Sequence, residues 1–215
     1  MKWLTRRNRV PHSNPIHGLK IVVLADIHGN SVEWPSEQPD FVFLLGDIPH
    51  HVVQEADARY ACPKYGVLGN HDGPDYLVDT DVLNVHAKAI QTHGITIAGF
   101  GGCPRYNGKS YGQYTEEEAG AFLSQLGHVD LLITHTQPAA LTLSESKPIA
   151  SVDDFLWRSE RSVPDKAHKG FQALTDYIHR SKPGYVLHGH VHMNALQQFG
   201  KSLVYSVYGT RVINL

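Results

Sequence analysis

Polar residues of the types that bind metal ions follow the ends of several short apolar runs in this chain. Each run has the length and β-branched composition of a buried strand, as in IVVLA, FVFLLG, LLIT and YVLHG. A related run is KYGVLG. The polar residues that follow the five runs are Asp26, His28, Asp47, Asn70, His71, His135, His190 and His192. Open α/β sheets place their chemistry at the carboxyl ends of their strands. The pattern therefore predicts a chemical site at one edge of a sheet.

The length of the chain indicates one domain. It has 215 residues, of which 41% are hydrophobic and 19% charged, which suffices for one sizeable core. We expect a single domain over residues 1–215, with a basic N-terminal arm over 1–18 and a long loop over 139–165. That loop contains Trp157 and Arg158, which we interpret as a hydrophobic anchor and a solvated charge or, alternatively, as a cap over the site.

Two amphipathic helices interrupt the strand-like runs. The first follows a T-x-x-E capping box formed by Thr115 and Glu118. The second has apolar residues at helical spacing from Ala167 to Ile178. A hairpin is expected around His93, and the glycine-rich segment GFGGCPRYNGKSYGQ that follows it is expected to be an exposed loop. Helices between parallel strands, together with hairpins, predict an α/β fold of two packed sheets with helices outside.

The overall composition favours a small-molecule protein of a reducing compartment. Formal net charge is -2, so the charge balance favours neither a nucleic-acid nor a membrane partner. No apolar run approaches the roughly 18 residues of a membrane span. Cys62 and Cys103 have neither zinc-ribbon nor disulfide-framework spacing. We therefore expect a cytoplasmic location.

Each motif is weak when taken alone. A D-x-H tripeptide often arises by chance, and an H-x-H pair in a strand is as typical of a polar sheet edge as of a ligand pair. The tetrapeptide GNHD is more specific. In it Asn70 offers a neutral oxygen ligand, His71 a proton donor, and Asp72 a carboxylate that can orient the histidine.

The order of the motifs resembles that of a known family. The motifs are DIH from Asp26, GD ending at Asp47, GNHD from Gly69, TH ending at His135 and GHVH from Gly189. This ordered set, which runs from about Lys20 to His192, resembles the calcineurin-like metallophosphoesterase superfamily, with the chain as a small single-domain member. The resemblance implies a four-layer αββα sandwich of two mixed β-sheets flanked by helices.

The resemblance also implies a role for each residue. It assigns one metal ion to Asp26, His28, Asp47 and His192, and a second ion to Asp47, Asn70, His135 and His190. Asp47 would thus be shared by the two ions. His71 would not bind metal but would contact the phosphate and assist the leaving group, with Asp72 as its partner.

Two divalent ions suit phosphoester cleavage for physical reasons. Ions roughly 3.5–4 Å apart can activate a bridging hydroxide as the nucleophile and clamp the oxygens of an in-line displacement. Two dications and two carboxylates leave a formal charge of about +2, which attracts an anionic phosphate. Nitrogen and oxygen ligands without a thiolate favour Mn, Fe, Zn, Co or Ni over Ca.

Several residues outside the ligand set are candidates for substrate binding. Arg105 and Tyr106 lie on the glycine-rich loop, where a cation can bind phosphate and an aromatic ring can stack on a base. The alternative is an exposed loop in which the charge forms a structural salt bridge. His168 can face the cleft or lie on the surface. His50 and His51, next to Asp47, are expected to be solvated loop residues.

The function that these observations favour is a binuclear metal-dependent phosphodiesterase acting on small or nucleotide-like substrates. A phosphomonoesterase of the same fold is the first alternative, and a non-catalytic scaffold for protein binding is the second. Protein phosphatases of the superfamily follow the shared aspartate with a signature that ends in arginine, whereas this chain has GDIPHHV. A nuclease would be indicated by steeply salt-dependent binding to DNA.

Overall fold

A computed structural model describes residues 16–108, 111–139, 146–148 and 168–215. The strands are β1 Lys20–Ala25, β2 Phe41–Leu44, β3 Lys64–Gly66, β4 Leu83–Asn84, β5 Ala89–Thr92, β6 Ile95–Phe100, β7 Cys103–Pro104, β8 Gln113–Tyr114, β9 Leu131–Thr134, β10 Ser146–Pro148, β11 Tyr185–His188, β12 Ala195–Phe199, β13 Ser202–Ser206 and β14 Gly209–Asn214. The helices are α1 His50–Arg59, α2 Glu116–Ser124 and α3 Gln172–Ser181.

The strands form two large mixed sheets. One has five strands in the order β14-β1-β2-β3-β4, and the other has seven in the order β10-β12-β13-β11-β9-β6-β5. In the first sheet β1 to β4 are parallel and β14 is antiparallel to β1. In the second, β6, β9, β11 and β13 are parallel. Both sheets therefore have an edge where several parallel strands end together.

The core is divided into three buried clusters by the two sheets. Because side chains alternate along a strand, Ile21 and Val23 of β1 pack between the sheets, whereas Val22 and Leu24 pack outward against α1. The outer face of the second sheet packs against α2 and α3. The layers are helix, sheet, sheet and helices, which confirms the four-layer αββα architecture.

The two predicted helices are present, with one change of boundary. At α2 the Thr115 hydroxyl accepts the Glu118 N–H at 3.2 Å, and the Glu118 carboxylate accepts the Thr115 N–H at 2.8 Å, which confirms the capping box. At α3 the first helical residue is Gln172 rather than Ala167, which lies outside the described residues. Lys182 ends α3 in the left-handed conformation, with φ 52°.

Two segments that were expected to be loops contain regular secondary structure. The segment after β6 is not simply exposed, because β7 and β8 pair within it and Gly101 is buried. His50 and His51 are not loop residues, since they begin α1. The buried side of this helix consists of Val52, Val53 and Ala56. Their spacing was not recognised as a helical pattern in the sequence.

The predicted arm and long loop fall largely outside the described residues. Ile16, within the predicted arm, is buried in the cluster between the sheets. Within the predicted loop over 139–165, β10 pairs antiparallel with β12, while Trp157 and Arg158 lie outside the described residues. The assignment of the chain to one domain stays a prediction. In the described part of the chain, no helix is both long and apolar enough to cross a membrane.

Candidate metal centre

The predicted ligands lie at the carboxyl ends of parallel strands in both sheets. Loops that carry them are joined to one another by backbone hydrogen bonds. The Asp26 N–H donates to Gly46 O at 3.0 Å, and the His28 N–H donates to Asp47 O at 3.1 Å. In the second sheet, the Gly189 N–H donates to His135 O at 2.9 Å. These bonds hold the ligand-bearing loops side by side.

Five of the seven predicted ligands have left-handed backbone conformations. Their φ values are 52° at Asp26, 50° at His28, 55° at Asp47, 68° at His190 and 48° at His192. A non-glycine residue in this region costs of order 1–3 kcal/mol, and such strain concentrates at functional sites. His190 and His192 do not lie in a strand, as the H-x-H interpretation assumed, because β11 ends at His188 and both residues follow it with left-handed backbone conformations.

Three of the predicted ligands form a first group. The Nε2 atoms of His28 and His192 are 3.1 Å apart, and His192 Nε2 is 3.7 Å from Asp26 Oδ1. The ligand atoms of these three residues all lie within 4.8 Å of one another. The other oxygen, Asp26 Oδ2, accepts the His190 N–H at 2.6 Å, which fixes the carboxylate.

A second group adjoins the first and contains Asp26, Asp47 and His135. His135 Nε2 is 3.5 Å from Asp47 Oδ2 and 3.0 Å from Asn70 Oδ1. The His190 ring lies 4.9 Å from the His135 ring. The structure thus brings all seven predicted ligands together. Asp26 is common to both groups in this geometry, whereas the resemblance gives the shared position to Asp47.

The donor set fits a pair of divalent cations. Asp26 Oδ1 is buried and has no hydrogen-bond partner among the described residues. Burial, and then the Asp47 carboxylate, raise the pKa of Asp26 to about 8. No lysine or arginine of the described residues forms an ion pair with either carboxylate. A bound cation would compensate this buried negative charge.

Two of the ligand imidazoles favour the neutral form, which binds metal. Burial lowers the pKa of His135, and burial together with His28 lowers the pKa of His192, so both favour the neutral ring. His135 Nδ1 lies 2.7 Å from Leu45 O. Because a carbonyl oxygen only accepts, Nδ1 carries the hydrogen and Nε2 keeps its lone pair for a metal ion.

His71 and Asp72 have different surroundings. The His71 side chain is exposed beside His28, with ring centroids 5.5 Å apart, and its backbone N–H donates to Asp47 Oδ1 at 2.8 Å. The Asp72 carboxylate instead accepts backbone N–H groups from Asp47 at 2.8 Å, Ile48 at 3.2 Å and Gly69 at 2.7 Å. These bonds join the two ligand loops. Asp72 thus positions the loops. The predicted hydrogen bond between Asp72 and the His71 ring is not formed among the described residues.

The three predicted substrate-binding residues lie in different places. Tyr106 Oη accepts from Asn70 Nδ2 at 3.5 Å, and the His168 ring lies 4.7 Å from the His190 ring, so both border the metal centre. Arg105 forms an ion pair with Glu118 at 2.9 Å, which is the structural salt bridge weighed as its alternative role. A substrate contact by any of the three stays a prediction.

Sequence patterns missed one residue that borders the centre. The Tyr208 ring stacks on His192 with centroids 5.2 Å apart and an interplanar angle of 24°. Asn194 holds the Tyr208 backbone by two hydrogen bonds, donating to its carbonyl at 3.2 Å and accepting its N–H at 2.9 Å. Tyr208 precedes β14 and belongs to no ligand-type motif, so only the strand pairing reveals it.

Gly189 allows the two sheets to approach at the metal centre. A Cβ atom at this position would lie 2.6 Å from Asp26 Oδ2, whereas a Cβ at Gly29, in the opposite ligand loop, would meet nothing within 4 Å. We therefore expect Gly189→Ala to displace the Asp26 carboxylate and to weaken metal affinity about 10–100-fold, the usual cost of disturbing a metal site's supporting shell. Isothermal titration calorimetry with Mn²⁺ measures this. Gly29→Ala is the matched control, and equal affinities for the two variants would contradict the expectation.

Removal of metal should make stability depend on pH through Asp26. Its pKa of about 8 exceeds the ordinary value of 3.8, so the folded state holds a proton that the unfolded state releases. This contribution to stability is complete below about pH 4 and is lost as pH rises to about 8. The lowered pKa values of His135 and His192 act in the opposite sense near neutral pH. We expect the stability gained by Asp26→Asn, measured by urea denaturation in chelator, to grow from pH 5 to pH 8. A constant difference would contradict the assigned shift.

Comparisons with known proteins agree with this fold and site. The profile of the calcineurin-like phosphoesterase family matches residues 19–194, so the chain belongs to that family. The family typically binds two divalent metal ions. The family is one of phosphoester hydrolases, and the candidate ligand groups of this chain occupy the strand ends described above. No curated protein sequence matches the chain.

Several solved structures share the fold. The protein TT1561 of Thermus thermophilus has a TM-score of 0.57 and 14% identity, with 91% of this chain and 98% of that chain covered. The phosphopantetheinyl hydrolase of Mycobacterium tuberculosis has a TM-score of 0.57 and 14% identity, with 90% and 91% covered. A putative 5'-nucleotidase of Staphylococcus aureus has a TM-score of 0.55 and 13% identity, with 90% and 50% covered. At these identities the similarity establishes the fold alone.

Proposed function

We propose that the chain is a binuclear metal-dependent phosphodiesterase that acts on small or nucleotide-like substrates. The observation that carries the proposal is the convergence of seven ligand-type side chains around a buried carboxylate oxygen, Asp26 Oδ1, that lacks a partner among the described residues. The ions that fit this donor set are Mn, Fe, Zn, Co and Ni, and we propose Mn²⁺ for the first assays. Two such ions would supply an activated water and neutralise charge that develops on the phosphate.

The side chains of the centre divide the remaining work. His71 is exposed beside His28, where it can donate a proton to the oxygen of the leaving group. Its backbone N–H holds Asp47, so the acid and a ligand are fixed relative to each other. Asp72 acts through the backbone by joining the loops of Asp47 and Gly69. Positioning of this kind limits the motion of the reacting groups.

Residues on two parts of the rim favour a diester over a monoester. Tyr106 and His168 border Asn70 and His190, while a separate cleft opens beside His71. A phosphodiester has a substituent for each region, whereas a monoester fills only one. The names of two proteins that share the fold, a phosphopantetheinyl hydrolase and a putative 5'-nucleotidase, are compatible with phosphoester substrates of nucleotide-like size.

A comparison of two aryl substrates tests the proposal. With Mn²⁺ present, kcat/KM for bis(p-nitrophenyl) phosphate should exceed that for p-nitrophenyl phosphate, and chelation should remove both activities. A preference for the monoester would replace the proposal with a phosphomonoesterase. If metal-loaded protein hydrolyses neither compound, a non-catalytic scaffold is the better interpretation.

The proposal includes a small-molecule substrate and a cytoplasmic location. A net charge of -2 lacks the basic excess with which proteins grip nucleic acid, and Cys62 and Cys103 are both free. Fractionation of cells that express the protein tests the location.

A further inference from the structure

A cleft of about 400 Å³ opens beside the metal centre, and its lining includes Ile48, Pro49, Asp75 and Tyr76, which belong to no motif that was assigned to substrate binding. We propose that it binds the leaving-group alcohol of the substrate and selects alcohols that carry hydroxyl or amino hydrogen-bond donors. This inference rests on the proposed phosphodiesterase function and adds the class of leaving group. The residues that would make the selection are His50 and Asp75.

The position of the cleft assigns it to the leaving group. His28 and His71 both line it, so it begins at the metal centre and includes the proposed acid. A substituent attached to the oxygen that His71 protonates must extend away from the phosphate. The cleft is the space that adjoins His71, whereas Tyr106 and His168 do not line it.

The walls of the cleft suit a short carbon chain. Ile48 and Tyr76 are buried, with 2% and 4% of their surface exposed, and Pro49 is half-buried. All three line the cleft. They offer apolar contact but few polar groups, so selectivity must come from the remaining residues of the lining.

The polar groups at the outer part of the cleft accept hydrogen bonds. His50 Nδ1 lies 3.1 Å from Tyr76 O, and because the carbonyl only accepts, Nδ1 carries the hydrogen. The neutral ring then has Nε2 as an acceptor. Asp75 is an exposed residue, and its carboxylate oxygens are hydrogen-bond acceptors. A ligand that satisfies both groups must bring donors.

The charge of the lining points to the same class of alcohol. Three carboxylates line the cleft, but bound metal would compensate Asp47 and backbone N–H groups satisfy Asp72, so Asp75 sets the charge of the outer part. The lining includes neither lysine nor arginine. A leaving group with a second phosphate would lack a cationic partner there and would meet Asp75. Hydroxylated alcohols such as glycerol, and amino alcohols such as ethanolamine, match both the acceptors and the charge.

The experiment compares three methyl phosphodiesters, whose second alcohol is glycerol, ethanolamine or propan-1-ol. Alcohol release by Mn²⁺-loaded protein gives kcat/KM for each. The readout is the kcat/KM for the glyceryl or aminoethyl ester divided by the kcat/KM for the propyl ester. This ratio is compared between the unchanged protein and each variant, so that differences in the intrinsic reactivity of the esters cancel. Asp75→Asn removes the charge and one of the two acceptor oxygens, and His50→Phe removes the acceptor Nε2. Asp79→Asn, at an exposed residue outside the cleft, is the matched control.

We expect Asp75→Asn to lower at least one of the two ratios roughly twofold to tenfold, the range of a typical net hydrogen bond. A loss confined to the aminoethyl ester would identify an amine as the preferred donor, and a loss confined to the glyceryl ester a hydroxyl. His50→Phe should lower the same ratio, and Asp79→Asn should leave it unchanged.

Failure of the inference is separable from failure of the proposed function. If bis(p-nitrophenyl) phosphate is hydrolysed but both ratios stay the same in Asp75→Asn and His50→Phe, the inference is wrong and the phosphodiesterase proposal stands. If no phosphodiester is hydrolysed under any of the metals, both are wrong.

Discussion

Replacement of Asp47 by alanine is expected to lower kcat/KM for phosphodiesters by more than about 100-fold, since even the outer partners of a metal site contribute about 10–100-fold. Asp47 contributes to a ligand group with Asp26 and His135 and also accepts the His71 N–H. One substitution therefore disturbs both a ligand and the position of the acid. Steady-state kinetics with Mn²⁺ measures the loss, and calorimetry should show weaker metal binding.

Asp47→Asn separates loss of the site from loss of the fold. In metal-free protein the Asp47 carboxylate is one of the groups that raise the pKa of Asp26, after burial itself. Removal of that charge should leave the metal-free protein at least as stable in urea, because ionisation of Asp26 is then no longer opposed by a like charge beside it. The stabilisation normally produced by added Mn²⁺ should shrink. Retention of more than a tenth of the activity, with normal metal binding, would contradict the role of Asp47.

The second large effect is expected at His71. His71→Ala should lower kcat about 10²–10⁴-fold, the usual contribution of a positioned acid or base. Metal affinity should change little, because the His71 side chain is exposed and only its backbone contacts Asp47. This combination of a large loss in kcat with unchanged metal affinity distinguishes an acid from a ligand.

One control substitution and one comparison of substrates sharpen the test of His71. His51→Ala removes an exposed histidine that begins α1 and does not line the cleft, so it should retain full activity. In His71→Ala, the activity ratio between a diester with a p-nitrophenol leaving group and one with an aliphatic alcohol should rise, because a good leaving group needs less protonation. Equal losses for both substrates would argue against proton donation by His71.

The general architecture and the ligand positions could be predicted from local patterns. Short β-branched runs followed by Asp or His predict strands whose ends carry chemistry, and the alternation along β1 explains why one face of that strand packs between the sheets. The capping box at Thr115 identified α2 because its two hydrogen bonds are local. Signals of this kind depend only on residues close in sequence.

Features that depend on tertiary contacts could not be predicted in this way. Helix α1 begins after Pro49 without a side-chain cap, and its polar sequence HHVVQEADAR gives a weak amphipathic pattern. Tyr208 borders the centre only because residues near β14 are brought beside β1. The left-handed conformations of the ligands occur in loops that are joined by hydrogen bonds to residues distant in sequence, as between His28 and Asp47.

Titration of metal-free protein with Mn²⁺ tests the central claim most directly, namely that the seven side chains hold two ions that support phosphodiester cleavage. Bound metal and hydrolysis of bis(p-nitrophenyl) phosphate are measured on the same samples. The predicted result is that activity rises to a plateau as two equivalents bind per chain, and that Asp47→Ala abolishes the plateau. Binding of two equivalents without hydrolysis, or hydrolysis that persists in chelator, would contradict the account.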